Sequence, residues 1–343
     1  MRKFLRFIGA CLLGLLALVA LVAALFGYFI YSPDPQLPQL SGTLTKGSFE
    51  FDGLKRSYQT YIPKGLPPGA PLVLVMHGSG ESAAEIRIGT GYGFERLADT
   101  HGFTVVYPNA ASFDWNDCST IGDFRVNGRD VDDTGFLVAL ADKLTQELHI
   151  DKSRVFATGV SSGGFMSLRL AIEVPSRFRA IAAVSANVHS PENFKCAPVG
   201  RSTSVMLMNG TKDPLVPFAG GASNLLGLFY KGGNVRSSRE SAHYFAEVNA
   251  LAGPPKTSQM RMADGVAVDR MLWQNDSPVE VELVAIDGGG HGLPQPYWRR
   301  PRLLGPSPME PNGPVMIWDF FERQSARSVH HQNRSCTRLY YEH

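Results

Sequence analysis

The chain has no internal repeat, no His-Glu-x-x-His or related metal-ligand spacing, and no marked excess of either charge. The first absence excludes a solenoid or propeller, and the second a zinc-peptidase type of site. The formal net charge is +2, and three of the positives, Arg2, Lys3 and Arg6, precede the first apolar run. The remainder is close to neutral, so nothing resembles the basic footprint of a nucleic-acid binder. Four cysteines in 343 residues are too few for a scaffold built on disulfides. Gly89-Thr90-Gly91-Tyr92-Gly93 does not follow a strand, so it reads as a loop rather than a dinucleotide cradle. The one dense basic cluster, Arg299-Arg300-Pro301-Arg302, reads as a solvated loop.

A long apolar run is present only at the start. Residues 7–31 contain no charged side chain, enough for a helix that crosses the hydrocarbon core. The basic residues ahead of it place the N-terminus on the cytoplasmic side and send the rest across. Residues 1–31 therefore read as a transmembrane anchor or a cleaved signal segment, and both alternatives stay open at this point. The domain behind it is expected to be exported, on the periplasmic or extracellular side. Residues 32–45 form a proline-rich spacer that opens Ser32-Pro33-Asp34-Pro35. In an oxidising compartment Cys118 and Cys196 are the favoured disulfide pair, because both fall in loops of the expected catalytic domain. Cys336 is then left over.

From residue 46 the pattern is that of one folded domain. Two antiparallel strands are predicted near 47–51 and 56–62, joined by the hairpin signal Asp52-Gly53. Continuous apolar strands follow at 72–76, 103–107, 155–159, 180–185, 205–209 and 279–286, the type buried on both faces of a parallel sheet. Between them lie amphipathic helices, one carrying Phe136, Leu137, Leu140, Ala141, Leu144 and Leu148 behind Asp132-Asp133-Thr134. The two aspartates are read as helix caps. Further helices are predicted over 238–251 and 315–323. The fold class is α/β, a mostly parallel central sheet with antiparallel N-terminal strands and helices on both faces. The catalytic domain is set at 46–324, with a loosely ordered tail over 325–343.

The chemistry is carried by Gly159-Val160-Ser161-Ser162-Gly163. It fits Gly-x-Ser-x-Gly between a predicted strand and a predicted helix, the turn that exposes a nucleophilic serine. A serine hydroxyl needs a base, an acid that orients the base, and donors for the oxyanion. The order Ser, Asp, His is completed by Asp213 in Gly210-Thr211-Lys212-Asp213-Pro214 and by His291 in Asp287-Gly288-Gly289-Gly290-His291-Gly292. Asp287 is the rival acid, with a turn-stabilising role expected for it. The oxyanion donors are expected from the Ser162 amide and from Gly78 or Ser79 in His77-Gly78-Ser79-Gly80. Trp115 reads equally as an aromatic platform or as a core residue, and His77 and Trp115 are taken as candidate substrate-binding residues.

These pieces, with Met76-His77-Gly78, Trp115-Asn116, the run from Val131 to Leu137, and Asn209-Gly210-Thr211-Lys212-Asp213-Pro214-Leu215-Val216-Pro217, resemble one branch of the α/β-hydrolases. It is the branch of poly(3-hydroxybutyrate) depolymerases and feruloyl esterases, and the likeness spans about residues 46–323. The resemblance implies the α/β-hydrolase fold, a triad of Ser161, Asp213 and His291, and carboxylic ester hydrolysis with neither metal nor organic cofactor. The implied partner is a small or oligomeric ester, with short acyl, hydroxyalkanoate-oligomer and feruloyl types in view. Peptidase or thioesterase chemistry and a non-catalytic binding protein are the alternatives. The chain departs from the branch after the histidine, where Gly292-Leu293-Pro294-Gln295 replaces a frequent Trp-Pro pair.

Overall fold

A computed structural model describes residues 1–343 apart from 123, 225–231 and 340–343, and only the backbone of 327–339. In chain order the elements begin with α1 (Arg2–Phe29), β1 (Thr43–Phe51), β2 (Leu54–Ile62), β3 (Leu72–Met76), α2 (Ala83–Gly89), α3 (Gly93–His101) and β4 (Thr104–Pro108). A short hairpin, β5 (Arg125–Val126) and β6 (Arg129–Asp130), precedes α4 (Asp133–Glu147), β7 (Val155–Val160), α5 (Ser162–Glu173), β8 (Ala180–Val184) and β9 (Ser204–Gly210). A second hairpin, β10 (Gly221–Ala222) and β11 (Asn234–Val235), leads to α6 (Ser238–Val248), β12 (Lys256–Arg261), β13 (Ala267–Gln274), β14 (Glu280–Ile286) and α7 (Gly313–Leu339).

Ten strands form one sheet in the order β1-β2-β4-β3-β7-β8-β9-β14-β13-β12. The six from β4 to β14 are parallel, and β1 and β2 add antiparallel strands at one edge, as the hairpin signal predicted. The other edge differs from the expectation, because β13 and β12 pair antiparallel outside β14. Lys256–Arg261 is exposed along its whole length, so it carries no apolar alternation from which a strand could be read. Side chains of β3 alternate between two cores. Leu72, Leu74 and Met76 face the α4, α5 and α6 side, while Val73 and Val75 face α2, α3 and α7. Helices therefore cover both faces.

Local chemistry sets the helix starts. Ser237 and Glu240 form a reciprocal capping box for α6, and Asp132 accepts the Gly135 amide at the start of α4. Asp133 corrects its expected role as a cap. It is buried, pairs with Arg56 at 2.6 Å and accepts the Asn116 amide. Two further expectations change. The stretch over 325–339 continues α7 as helix instead of a loose tail, and the Cys336 side chain lies outside the described residues. Arg300 is buried at 9% exposure, so the basic cluster is not wholly solvated.

Cys118 and Cys196 are bonded, with Cα atoms 5.2 Å apart and a sequence separation of 78. The bridge joins the loop after β4 to the loop after β8, where the Lys195 amide also meets the Cys118 carbonyl at 2.9 Å. A closure of this length contributes about 4.5 kcal/mol in the chain-entropy account. Reduction is expected to lower the urea midpoint by the corresponding amount. An unchanged midpoint with both thiols open to alkylation contradicts this.

Candidate active site

The strand order reverses between β3 and β7. The chain runs from β3 outward to β4 and then returns to β7 on the opposite side of β3. The loops leaving the carboxyl ends of β3 and β7 diverge there, which is where open α/β sheets form their crevice. His77 to Glu81 follow β3 and Ser161 follows β7. Asp213 lies three residues past β9 and His291 five past β14, on the same edge.

Ser161 sits at the entry to α5 with φ 56° and ψ −122°. A positive φ is costly for a residue with a side chain and survives only where the surroundings enforce it. Here the glycines make the crowding possible. A Cβ on Gly159 would lie 2.4 Å from the Gly163 carbonyl, and one on Gly163 would lie 2.4 Å from the Met76 carbonyl oxygen. The Ser161 amide donates to the Val184 carbonyl at 2.9 Å, pinning the turn to β8. Ser161 is half-buried, whereas Ser162 behind it is buried.

His291 is 5% exposed, and its Nδ1 lies 2.8 Å from Asp213 Oδ2. The other Asp213 oxygen accepts the amides of Leu215 and Val216, both at 2.8 Å. A carboxylate held this way fixes the imidazole with Nδ1–H toward Asp213, an orientation assigned from the network, and leaves Nε2 to exchange protons. The loop bearing His291 is itself fastened. The amide of Gly290 donates to Pro306, that of His291 to Leu304, and that of Gly292 to Ser185 Oγ. Asp287 is elsewhere: it accepts from Thr211 Oγ1, which in turn receives the Gly288 amide. That is a turn contact.

The structure narrows three of the sequence readings around the loop after β3. The Gly78 amide donates to Glu81 Oε2 at 3.0 Å, so it is already engaged. Ser79 remains as the donor candidate on this loop, beside the Ser162 amide expected from the start of α5. Trp115 is 0% exposed and cannot present a platform to substrate. Its indole N–H donates to the His77 carbonyl and its amide to Ser162 Oγ, each at 3.0 Å, so it ties the β3 loop to the turn that carries Ser161. His77 is buried as well, with Nδ1 beside the Gly78 carbonyl and Nε2 accepting the Ala110 amide. Burial holds its imidazole below the ordinary value.

Several residues here were not singled out from the sequence. Burial pushes the Asp114 carboxyl up, against the hydroxyls of Ser79 and Ser162 within its reach. A cavity of about 50 Å³ beside Ser162 is lined by Asp114, Asp117, Phe165 and His189 among the described residues. Glu81 Oε1 pairs with Arg300 at 3.3 Å. Burial alone pushes the Glu81 carboxyl up, but Arg300, the Gly78 amide and the two histidines hold it below the usual carboxylate range. After His291, Gln295 Oε1 receives the amides of Tyr297 and Trp298, forming a capped turn at the point where the sequence departs from the pattern expected of the branch. The acid three residues past Gly78 was visible as a residue, but its partner lies 219 positions away.

Comparison with known proteins follows the same line. A family model described as "Esterase PHB depolymerase" matches residues 56–225, a span holding Ser161 and Asp213. A protein named "Putative esterase NocK" from Nocardia uniformis subsp. tsuyamanensis is 31% identical over 290 residues, covering 80% of this chain and 81% of its own. "Probable feruloyl esterase C" from Aspergillus terreus is 27% identical over 285 residues, covering 81% of this chain and 87% of its own. Among solved structures, an acetyl xylan esterase from Aspergillus awamori superposes with a TM-score of 0.55 at 18% identity. It covers 73% of this chain and 94% of its own, a likeness of fold.

Proposed function

The chain belongs to the PHB depolymerase family of esterases within the α/β-hydrolases and is a carboxylic ester hydrolase, and from that premise we propose that it works through an acyl-enzyme on Ser161. The observation that supports this most is the 2.8 Å contact of Asp213 with His291 Nδ1, on the sheet edge that carries the strained Ser161. Ser161 Oγ attacks the ester carbonyl carbon while His291 Nε2 takes its proton. Asp213 stabilises the imidazolium that results. The tetrahedral oxyanion is held by the amides of Ser162 and Ser79, the former at a helix N-terminus whose dipole favours negative charge. Collapse breaks the bond to the alcohol, which leaves with the His291 proton. Water then repeats the sequence on the acyl-enzyme and releases the acid.

Helix α1 spans 28 residues, is apolar enough to cross a bilayer, and has no buried residue. It serves as an anchor or signal segment that places the catalytic domain outside the cytoplasm, where the Cys118–Cys196 bond is stable. The substrates we propose are soluble esters: short acyl esters, hydroxyalkanoate oligomers, or aromatic acyl esters. The domain is of ordinary size for one catalytic unit. A tethered enzyme meets diffusing esters more readily than a solid polymer. A substrate panel checks this, with soluble esters expected to turn over at least about tenfold faster than crystalline polyhydroxybutyrate. Clearing of the polymer at matching rates contradicts the substrate assignment.

A further inference from the structure

The loop after β3 carries an acid that the triad chemistry does not use. Glu81 reaches back to the Gly78 amide with Oε2, and with Oε1 it reaches Arg300 at 3.3 Å. Arg300 comes from the loop behind His291 and packs on the backbone there. A Cβ at Gly292 would lie 2.4 Å from Arg300 Cδ, so the side chain lies directly on the residue after His291. One ion pair thus joins the two loops that flank the nucleophile.

We propose that Glu81 and Arg300 are a positioning pair: Glu81 withdraws the Gly78 amide from the oxyanion site, leaving Ser79 and Ser162 as donors, and the two opposite charges balance each other beside His291. The proposal rests on His291 being the base. An ionised carboxylate bonded to the Gly78 amide repels a second negative oxygen at the same donor, so that amide cannot stabilise a forming oxyanion. A lone carboxylate so close to the reacting centre would oppose the transition state, and the guanidinium offsets it. The charged and titratable groups facing Glu81 are Arg300 from the loop before α7, His77 from its own loop and His291 from the loop after β14. His291 faces Asp213 from the loop after β9.

The pair predicts shifts of opposite sign. A negative charge near His291 favours the imidazolium, so removing it lowers the pH at which the base loses its proton. In Glu81→Gln the acid limb of kcat/KM is expected to move down by about half a pH unit, and in Arg300→Gln up by about as much. The double variant returns close to wild type. The glutamine oxygen still accepts the Gly78 amide, so plateau turnover in Glu81→Gln stays within about threefold, while Glu81→Ala opens the turn that places the Ser79 amide and loses about tenfold or more. The experiment is the pH profile of the four variants and wild type on one soluble ester. An intact acid limb that neither single variant moves overturns the pair alone, as does a higher plateau in Glu81→Ala. A wild-type profile with no acid limb contradicts the role of His291 and takes this proposal with it.

Discussion

Replacing Ser161 with alanine is expected to remove at least about a thousandfold of the turnover while leaving the fold intact. The neighbouring serines Ser162 and Ser185 are held in other contacts. Ser162 is buried and its Oγ accepts the Trp115 amide, and Ser185 Oγ accepts the Gly292 amide. The alanine keeps a Cβ at φ 56°, so the backbone strain is unchanged and the close approach of Gly159 to Gly163 is undisturbed. Circular dichroism and the thermal midpoint should match wild type. Residual hydrolysis will come from the oxyanion donors and substrate binding, which persist without the nucleophile. A variant that retains turnover within tenfold removes Ser161 from the mechanism.

The second large effect falls on the acid. Asp213→Asn is expected to lower kcat by roughly 10³–10⁴-fold, and Asp287→Asn by less than about threefold. Asp213 Oδ2 contacts His291 Nδ1, and Oδ1 is fixed by two amides, so the carboxylate cannot rotate away. An asparagine there presents either an amide N–H or a neutral oxygen to the ring. The first forces the wrong tautomer, and the second leaves the imidazolium without its counter-charge. Asp287 is exposed and holds a turn through Thr211, so its loss changes local stability and not the proton transfer. Comparable losses in both variants, with both folded, reverse the assignment.

Much of this site was legible in the sequence because its parts are local signals. The nucleophile turn reads from five consecutive residues. Asp213 and His291 each follow a stretch that reads as a strand, and strand ends are where this class of sheet builds its site. The choice between Asp213 and Asp287 was not a local matter, since both flank loops on the same edge. In space it is the Asp213 carboxylate that meets Nδ1, while Asp287 meets Thr211. The pairing of Arg56 with Asp133 was hidden for the same reason: neither neighbourhood shows that a helix-opening aspartate points inward to an arginine 77 residues earlier.

The errors have the same physical origin. Trp115 carries a large aromatic surface, and composition does not say whether that surface is bare. Its two hydrogen bonds, to His77 and Ser162, come from chain segments 38 and 47 residues away. Gly78 stood in the expected position for an oxyanion donor, but Glu81 occupies its amide. Strand β12 escaped because an exposed edge needs no apolar pattern, and β13, between β12 and β14, is only partly buried. Polar edge strands are shielded from further pairing by that same character.

The central claim is that Ser161 carries the acyl group. A fluorophosphonate reacts with a serine only where a base and an oxyanion site activate it, and peptide mass spectrometry locates the adduct. The account predicts one adduct per chain, on the peptide containing Ser161, with esterase activity lost in proportion and no adduct in Ser161→Ala. An adduct on any other residue accompanied by loss of activity, or full activity in protein labelled at Ser161, contradicts it.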